Sequence, residues 1–175
     1  MSVMRDIETR RNLPWWQVAA NIRVGRQRFV KLYAKATSNI DTNVNLETNR
    51  DLIRYLPRAA VVGLFAPFPN LWFETGNSVG STGRILSGME TLLMYVFEAL
   101  AMVGLWRGRR ELSVWLPFSI AVMGTLALGL VVVNVGTLYR LRYAFLMLLI
   151  VLAAGGIIHI VSWSVKKVPM KEIAA

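Results

Sequence analysis

The chain contains no cysteine among its 175 residues and has one histidine. The absence of cysteine excludes disulfide bonds, thiol catalysis and metal sites with cysteine ligands. The single histidine lies in an apolar run without an accompanying serine motif, so no nucleophile–base pair is visible. We therefore expect no catalytic residue, no metal and no other cofactor. The first 54 residues also lack an apolar run that resembles a signal peptide.

One pattern has the spacing that opens a calcium-binding loop, namely Asp41, Asn43 and Asn45. The turn position of such a loop requires glycine and here holds Leu46, and the twelfth position requires glutamate and here holds Leu52. The sequence therefore predicts no calcium site in this segment.

Long apolar runs dominate the C-terminal half of the chain. Three of them have 22, 23 and 21 residues and cover Ile85–Trp106, Leu112–Asn134 and Tyr143–Trp163. At about 1.5 Å per helical residue, each run spans roughly 30–35 Å, which matches the hydrocarbon core of a bilayer. Soluble core helices are usually shorter and carry a polar stripe. The sequence therefore predicts an all-α integral membrane protein that folds as a helical bundle.

A fourth apolar run is shorter and is interrupted by Pro67 and Pro69. It covers Ala59–Phe73, and its 15 residues would extend about 22 Å as a helix. Extended back to Leu52, it could span the membrane, with its arginines reaching the interface. The alternative is three spans plus one broken or re-entrant segment.

The distribution of Lys and Arg favours four spans, because these residues are enriched in cytoplasmic loops. With four spans, the basic N-terminal region, the loop after the first long run and the C-terminal tail share one face. With three spans, this bias weakens. We therefore predict cytoplasmic termini, an external loop at Glu74–Arg84, a transmembrane domain over residues 55–165 and a basic tail over residues 166–175.

The N-terminal region, residues 1–54, is basic, since ten of the 20 Lys and Arg residues lie before Tyr55. A helix predicted near residues 14–36 has aromatic side chains near one face and most cations elsewhere, as in an amphipathic helix that lies in the head-group layer. The alternative is a short soluble helix packed on a partner subunit. Five residues are assigned to the lipid surface: Trp15, Trp16, Arg23, Phe29 and Lys31.

The net charge of the chain is +10, which indicates that the basic N-terminal region binds a negatively charged partner. A basic segment beside membrane spans usually contacts anionic lipid head groups. No basic nucleic-acid motif accompanies the charge. We therefore expect membrane lipids as partners and no nucleic acid.

Ionisable residues inside the apolar runs are costly in lipid and therefore mark structural or functional contacts. Glu90 and Glu98 lie on the first long run, and His159 lies on the last. We expect Glu98 to meet His159 in one half of the bundle, and Glu90 to meet the polar groups of the other half. Such pairs either fasten the bundle or a neighbouring subunit, or form a path for protons or solutes.

The run from Asn134 to Tyr143 places Arg140 and Arg142 on the predicted external face, where cations are disfavoured. Arginine binds phosphate and carboxylate through two parallel hydrogen bonds and stays charged at any relevant pH. Asn134, Arg140 and Arg142 are therefore candidate ligands for an anionic group, with Arg142 favoured for binding and Arg140 for compensating Glu90. Alternatively, the two arginines anchor the last span at the head groups.

Four motifs resemble the C-terminal part of certain bacterial polytopic membrane proteins: Ser38–Asp41, Tyr55–Ala59, Ala66–Pro69 and Asn134–Tyr143. Those proteins resemble products of exopolysaccharide and O-antigen gene clusters, and the likeness extends over residues 38–156. It implies a small component of cell-envelope polysaccharide assembly in the bacterial inner membrane, which handles an anionic lipid-linked glycan at the outer face. Members of that family are longer, with further spans before the first motif, so no polymerase or transferase activity and no catalytic residue is carried over.

Two other classes of function stay open. One is a non-catalytic accessory subunit of a larger respiratory or photosynthetic complex, whose partners are other membrane subunits. The absence of a catalytic set and the surface helix fit that class. The other is a transporter.

Overall fold

The computed structural model describes residues 18–36, 38–69, 72 and 81–167. Within these ranges, the chain forms five helices, and the prediction of an all-α protein is confirmed for them. The helices are α1 (Val18–Leu32), α2 (Asn49–Phe65), α3 (Ser81–Arg107), α4 (Leu112–Val131) and α5 (Val135–Lys167).

Three of these helices are long and apolar enough to cross a membrane. The candidate spans are Ile85–Arg107, Leu112–Val131 and Val135–Ser162. They correspond to the three long apolar runs, so the prediction of a membrane-spanning helical protein is supported. The last span begins at Val135 rather than at Tyr143, because Asn134 caps the helix through a hydrogen bond from the Thr137 N–H.

α2 covers part of the fourth, shorter apolar run, but it begins earlier than predicted. The N–H of Asp51 donates to the Thr48 hydroxyl at 3.2 Å, and the Thr48 N–H donates to the Asp51 carboxylate at 3.0 Å. This reciprocal cap satisfies N–H groups that the first turn leaves open. α2 has 17 residues and is not among the three candidate spans, so the four-span count is not confirmed. The helix also runs through the domain boundary predicted at residue 54.

A short antiparallel pairing joins the segment before α2 to the turn between α4 and α5. The Ile40 N–H donates to the Val133 carbonyl at 2.8 Å, and the Val135 N–H donates to the Ser38 carbonyl at 3.0 Å. Asn39 and Asn134 form the bridge between them. A topology with four full spans would put these two segments on opposite faces of the membrane, so the pairing disagrees with that topology.

α2 packs backbone to backbone against the end of α4. A Cβ atom on Gly129 would lie 2.0 Å from the Ala59 carbonyl oxygen, and one on Gly63 would lie 2.2 Å from the Thr125 carbonyl oxygen. Only glycine fits at such distances. Since Ala59 lies opposite Gly129 and Gly63 opposite Thr125, the two helices run antiparallel. α2 therefore runs alongside α4 from the C-terminal end of α4 toward its middle.

The chain divides into two compact units, and the three long helices contribute to both. The first unit contains Met1–Gly88 and Gly124–Arg142, and two apolar clusters form its core. One cluster is centred on Val62, Ala66, Val132, Val135 and Leu138, and the other on Leu46, Tyr55, Ala59 and Leu130. The second unit contains Met89–Met123 and Tyr143–Ala175. In it, α3 and α5 approach closely at Gly104 and Gly156, where an added Cβ would meet backbone oxygens of the facing helix.

Candidate functional site

Asn134, a predicted ligand for an anionic group, is a buried structural residue. Its side-chain oxygen accepts hydrogen bonds from the N–H and the hydroxyl of Thr137, at 3.0 and 3.2 Å. Its side-chain nitrogen donates to the Asn39 side-chain oxygen at 3.2 Å and to the Ser38 hydroxyl at 3.4 Å. These four bonds cap α5 and hold the segment before α2 against it. The amide is thus fully engaged by protein.

Arg142 is buried, with 1% of its surface exposed. Its guanidinium donates to the Leu64 carbonyl oxygen at 2.7 Å and lies 5.5 Å from the centroid of the Tyr139 ring. Leu64 is in the last turn of α2, where carbonyl groups have no partner within the helix. Arg142 therefore caps the C-terminal end of α2, and its binding of an anionic ligand stays a prediction.

Arg140 lies on the exposed side of α5. Its Nε donates to the Gly136 carbonyl oxygen one turn earlier, at 3.3 Å. An exposed arginine that contacts its own helix is not the buried partner expected for Glu90. The carboxylate of Glu90 instead accepts a hydrogen bond from the Tyr143 hydroxyl.

The remaining pair predicted within the spans is Glu98 with His159. Both side chains are half-buried, on α3 and α5 of the second unit. The Ser162 hydroxyl donates to the main-chain carbonyl of His159 at 2.9 Å. Contact between Glu98 and His159 stays a prediction. Among the residues that the structure describes, no group of three His, Asp or Glu side chains is arranged to hold a metal.

Of the five residues predicted to lie on the lipid surface, three are described, and they have different surroundings. Trp15 and Trp16 lie outside the described residues. Phe29 stacks on Tyr33 at a centroid distance of 6.2 Å and packs against the first apolar cluster, and its contact with lipid stays a prediction. Arg23 and Lys31 line a cleft between α1 and the loop at residues 42–46.

Arg26, which the sequence analysis did not single out, is the central residue of this region. It is 3% exposed and lies on the face of α1 that packs on the bundle. One guanidinium nitrogen donates to the Leu130 carbonyl at 2.8 Å, and the other donates to the Asp41 carbonyl at 2.7 Å and to the Tyr55 hydroxyl at 3.2 Å. A single side chain therefore joins α1, the following loop, α2 and the end of α4.

A signal for Arg26 is present in the sequence. Ala19, Ile22 and Phe29 recur at helical spacing on the packed face of α1, and Arg26 falls between the last two. An arginine inside an apolar stripe indicates a buried cation with protein partners.

Asp41 is an acidic residue that interacts with both Arg58 and Arg26. Its carboxylate accepts hydrogen bonds from the Arg58 Nε at 2.9 Å and from the Tyr55 hydroxyl at 3.1 Å. Burial by itself would raise the pKa of Asp41, but these two hydrogen bonds and the charges of Arg58 and Arg26 outweigh it. The pKa of Asp41 therefore lies below its ordinary value. Its φ of 53° is in the left-handed region, which aspartate and asparagine tolerate better than most residues.

The cleft beside Arg26 has a volume of about 520 Å³. Ten residues line it, of which three are cations and none is acidic. The cations are Arg23, Arg26 and Lys31, and side-chain amides and a hydroxyl come from Gln27, Thr42, Asn43 and Asn45. This composition suits an anion and does not provide a catalytic set. No protein-family model, curated protein or solved structure matches this chain.

Proposed function

We propose that this protein is a small, non-catalytic component of cell-envelope polysaccharide assembly in the bacterial inner membrane, where it holds an anionic lipid-linked glycan. One observation carries the proposal: a basic lobe, residues 18–58, is fixed to the end of the spans. Arg26 and the pairing of Ile40 with Val133 attach it there. The lobe has eight Lys and Arg residues and three acidic residues. Such a surface at a membrane attracts anionic head groups.

The proposal includes three membrane crossings, with α2 as a re-entrant half-helix. Its support is geometric. Gly63, near the end of α2, lies beside Thr125, about 9 Å along α4 from the end of that helix at Val131. Arg142, which caps α2, lies a similar distance, about 10 Å, from the start of α5. Irregular backbone at membrane depth is tolerated where protein surrounds it, and Ala66 and Pro67, directly after α2, are both buried.

The return of the chain to the same face has independent support. Trp72 donates from its indole N–H to the Pro67 carbonyl at 2.9 Å, and its ring lies against Gly88, near the beginning of α3. α2 thus enters beside the end of α4, and Trp72, shortly after α2, contacts the beginning of α3. In this topology the N-terminal lobe and the C-terminal tail lie on opposite faces.

Charge supports the orientation. With three crossings, fourteen of the 20 Lys and Arg residues fall on the face of the basic lobe. Since cations are enriched on the cytoplasmic side, the lobe is cytoplasmic and the tail is external. The glycan is then held at the cytoplasmic face rather than at the outer face that we expected from the sequence. Exposed apolar side chains along the three spans, such as Met89, Met123 and Val151, suit contact with lipid.

Deletion of the gene from its own organism tests the function. We expect surface polysaccharide to be lost or shortened, and to return when the wild-type chain is supplied. Extraction in mild detergent, followed by mass spectrometry, should recover the chain with lipid-linked saccharide or with other polysaccharide-assembly proteins. Unchanged surface polysaccharide, together with recovery of the chain in a respiratory or photosynthetic complex, would establish the accessory-subunit alternative instead.

A further inference from the structure

The cleft between α1 and the loop at residues 42–46 has the features of a binding site for a phosphate group. Arg23 and Gln27 are one helical turn apart on α1 and line the same side of the cleft with Lys31, a further turn along. The two acidic side chains of the loop that follows α1 have other hydrogen-bond partners. Asp41 is bonded to Arg58 and Tyr55, and Glu47 is exposed and accepts a hydrogen bond from Asn45.

Two arginine N–H groups at this cleft are shielded from solvent without an acceptor. The Nε atoms of Arg23 and Arg26 are buried, and neither has a hydrogen-bond partner among the residues that the structure describes. Arg26 as a whole is 97% removed from solvent, although its two terminal nitrogens are bonded to protein. A buried N–H without an acceptor is unfavourable, and such groups are rare in folded proteins. Arg23 is half-buried and lines the cleft, so its guanidinium is the arginine group that an anion there can reach.

The opposite side of the cleft is held in place before any ligand binds. Leu46, at the end of the loop, is 1% exposed and belongs to one of the two apolar clusters. Asp41, at the other end, is fixed by the hydrogen bonds described above. A loop anchored at both ends presents its polar side chains at defined positions, so less ordering is required on binding.

We propose that this cleft binds a phosphate or diphosphate group that carries a sugar. Arg23 contacts the phosphate oxygens, and Arg26 and Lys31 add positive charge at the cleft. Arginine is suited to this because its planar guanidinium matches the geometry of phosphate. Thr42, Asn43 and Asn45 face the sugar hydroxyls with neutral donors and acceptors. A volume of about 520 Å³ lies within the usual range for small-molecule sites, which is roughly 300–1,000 Å³. The inference that this phosphate group belongs to a lipid-linked saccharide rests on the proposed function.

Binding to the full chain, purified in detergent, tests the site. The probes are inorganic pyrophosphate and a polyprenyl diphosphate sugar, each titrated by calorimetry. We expect Arg23→Gln to weaken binding of the preferred probe about tenfold or more, because a charge-assisted hydrogen bond is lost. Arg23→Lys, which keeps the charge but loses the fork geometry, should lie between Arg23→Gln and the wild type. Tighter binding of the polyprenyl probe identifies a lipid-linked ligand, and equal affinities identify the free anion.

Lys35→Gln is the matched control, because it removes the same charge as Arg23→Gln. Lys35 is an exposed residue beyond α1 that does not line the cleft. It should change affinity less than twofold. Equal weakening by Arg23→Gln and Lys35→Gln, or no binding of either probe to the wild type, would overturn the proposal. If the purified chain binds phosphate through Arg23 but the deletion strain keeps normal surface polysaccharide, the proposed function is refuted and the site is kept. The reverse result would keep the function and refute the site.

Discussion

The guanidinium of Arg142 donates a 2.7 Å hydrogen bond to the carbonyl oxygen of Leu64, in the last turn of α2. The last carbonyls of a helix have no donors within the helix, and its C-terminal end carries a partial negative charge. A buried cation at this position satisfies both the hydrogen bond and the charge. A helix end that packs against protein requires such a partner, and a residue 78 positions further along the chain supplies it.

Removal of this cap should destabilise the protein. We expect Arg142→Met to lower the free energy of unfolding by about 2–3 kcal/mol, because a charged hydrogen bond is lost and the Leu64 carbonyl is left without its donor. Arg140→Met is the control, since Arg140 is exposed, and should change stability by less than about 0.5 kcal/mol. Thermal unfolding in detergent measures both. Equal effects of the two changes would show that the contact with Leu64 is unimportant.

Two adjacent glycines of α5 should respond oppositely to alanine. A Cβ on Gly156 would lie 2.3 Å from the Leu100 carbonyl oxygen, so Gly156→Ala must force α3 and α5 apart. The expected cost is about 1–3 kcal/mol. A Cβ on Gly155 meets no atom within 4 Å, and Gly155→Ala should be neutral or stabilising by up to about 1 kcal/mol. If both changes have the same effect on the unfolding temperature, α3 and α5 do not pack at this position.

The low pKa of Asp41 predicts a loss of stability in acid. Because folding lowers this pKa, the ionised carboxylate contributes stability above the ordinary aspartate pKa of about 4. That contribution is lost as the pH falls through the lower, folded-state pKa. Asp41→Asn should be less stable at neutral pH, and the difference from the wild type should shrink below about pH 4. Asparagine also tolerates the left-handed backbone, so the change isolates the charge. Unfolding temperatures between pH 3 and 7 provide the measurement, and a constant difference would contradict the assignment.

Cysteine labelling separates the three-span topology from the four-span one, and the chain has no native cysteine to interfere. Cysteine at Lys35, in the basic lobe, should react with a membrane-impermeant reagent only after the membrane is permeabilised. Cysteine at Glu111, between α3 and α4, should react in intact cells. With four spans, both positions would be cytoplasmic. Labelling of both from the same face would therefore overturn the re-entrant assignment of α2.

Part of the candidate site was visible in the sequence. Arg23 and Lys31 were identified as residues that meet anionic groups, and the structure brings them together at one cleft. The sequence analysis does not identify Arg26, although an arginine within the apolar stripe of α1 indicates a buried cation. The loop that completes the cleft was recognised only as a loop, because its shape depends on Leu46 entering a cluster with residues of α2 and α4.

The long apolar runs by themselves determined that this is a helical protein with three helices able to cross a membrane, because helix length and side-chain hydropathy are local properties. The N-terminal cap of α2 was likewise determined locally, by Thr48 and Asp51. The tertiary structure alone decided the roles of Asn134, Arg142 and Arg26. Each is polar and buried, and the partner of a buried polar group depends on which segments fold together. Those partners come from distant segments, at Asn39, Leu64 and Leu130, and no spacing in the sequence encodes them.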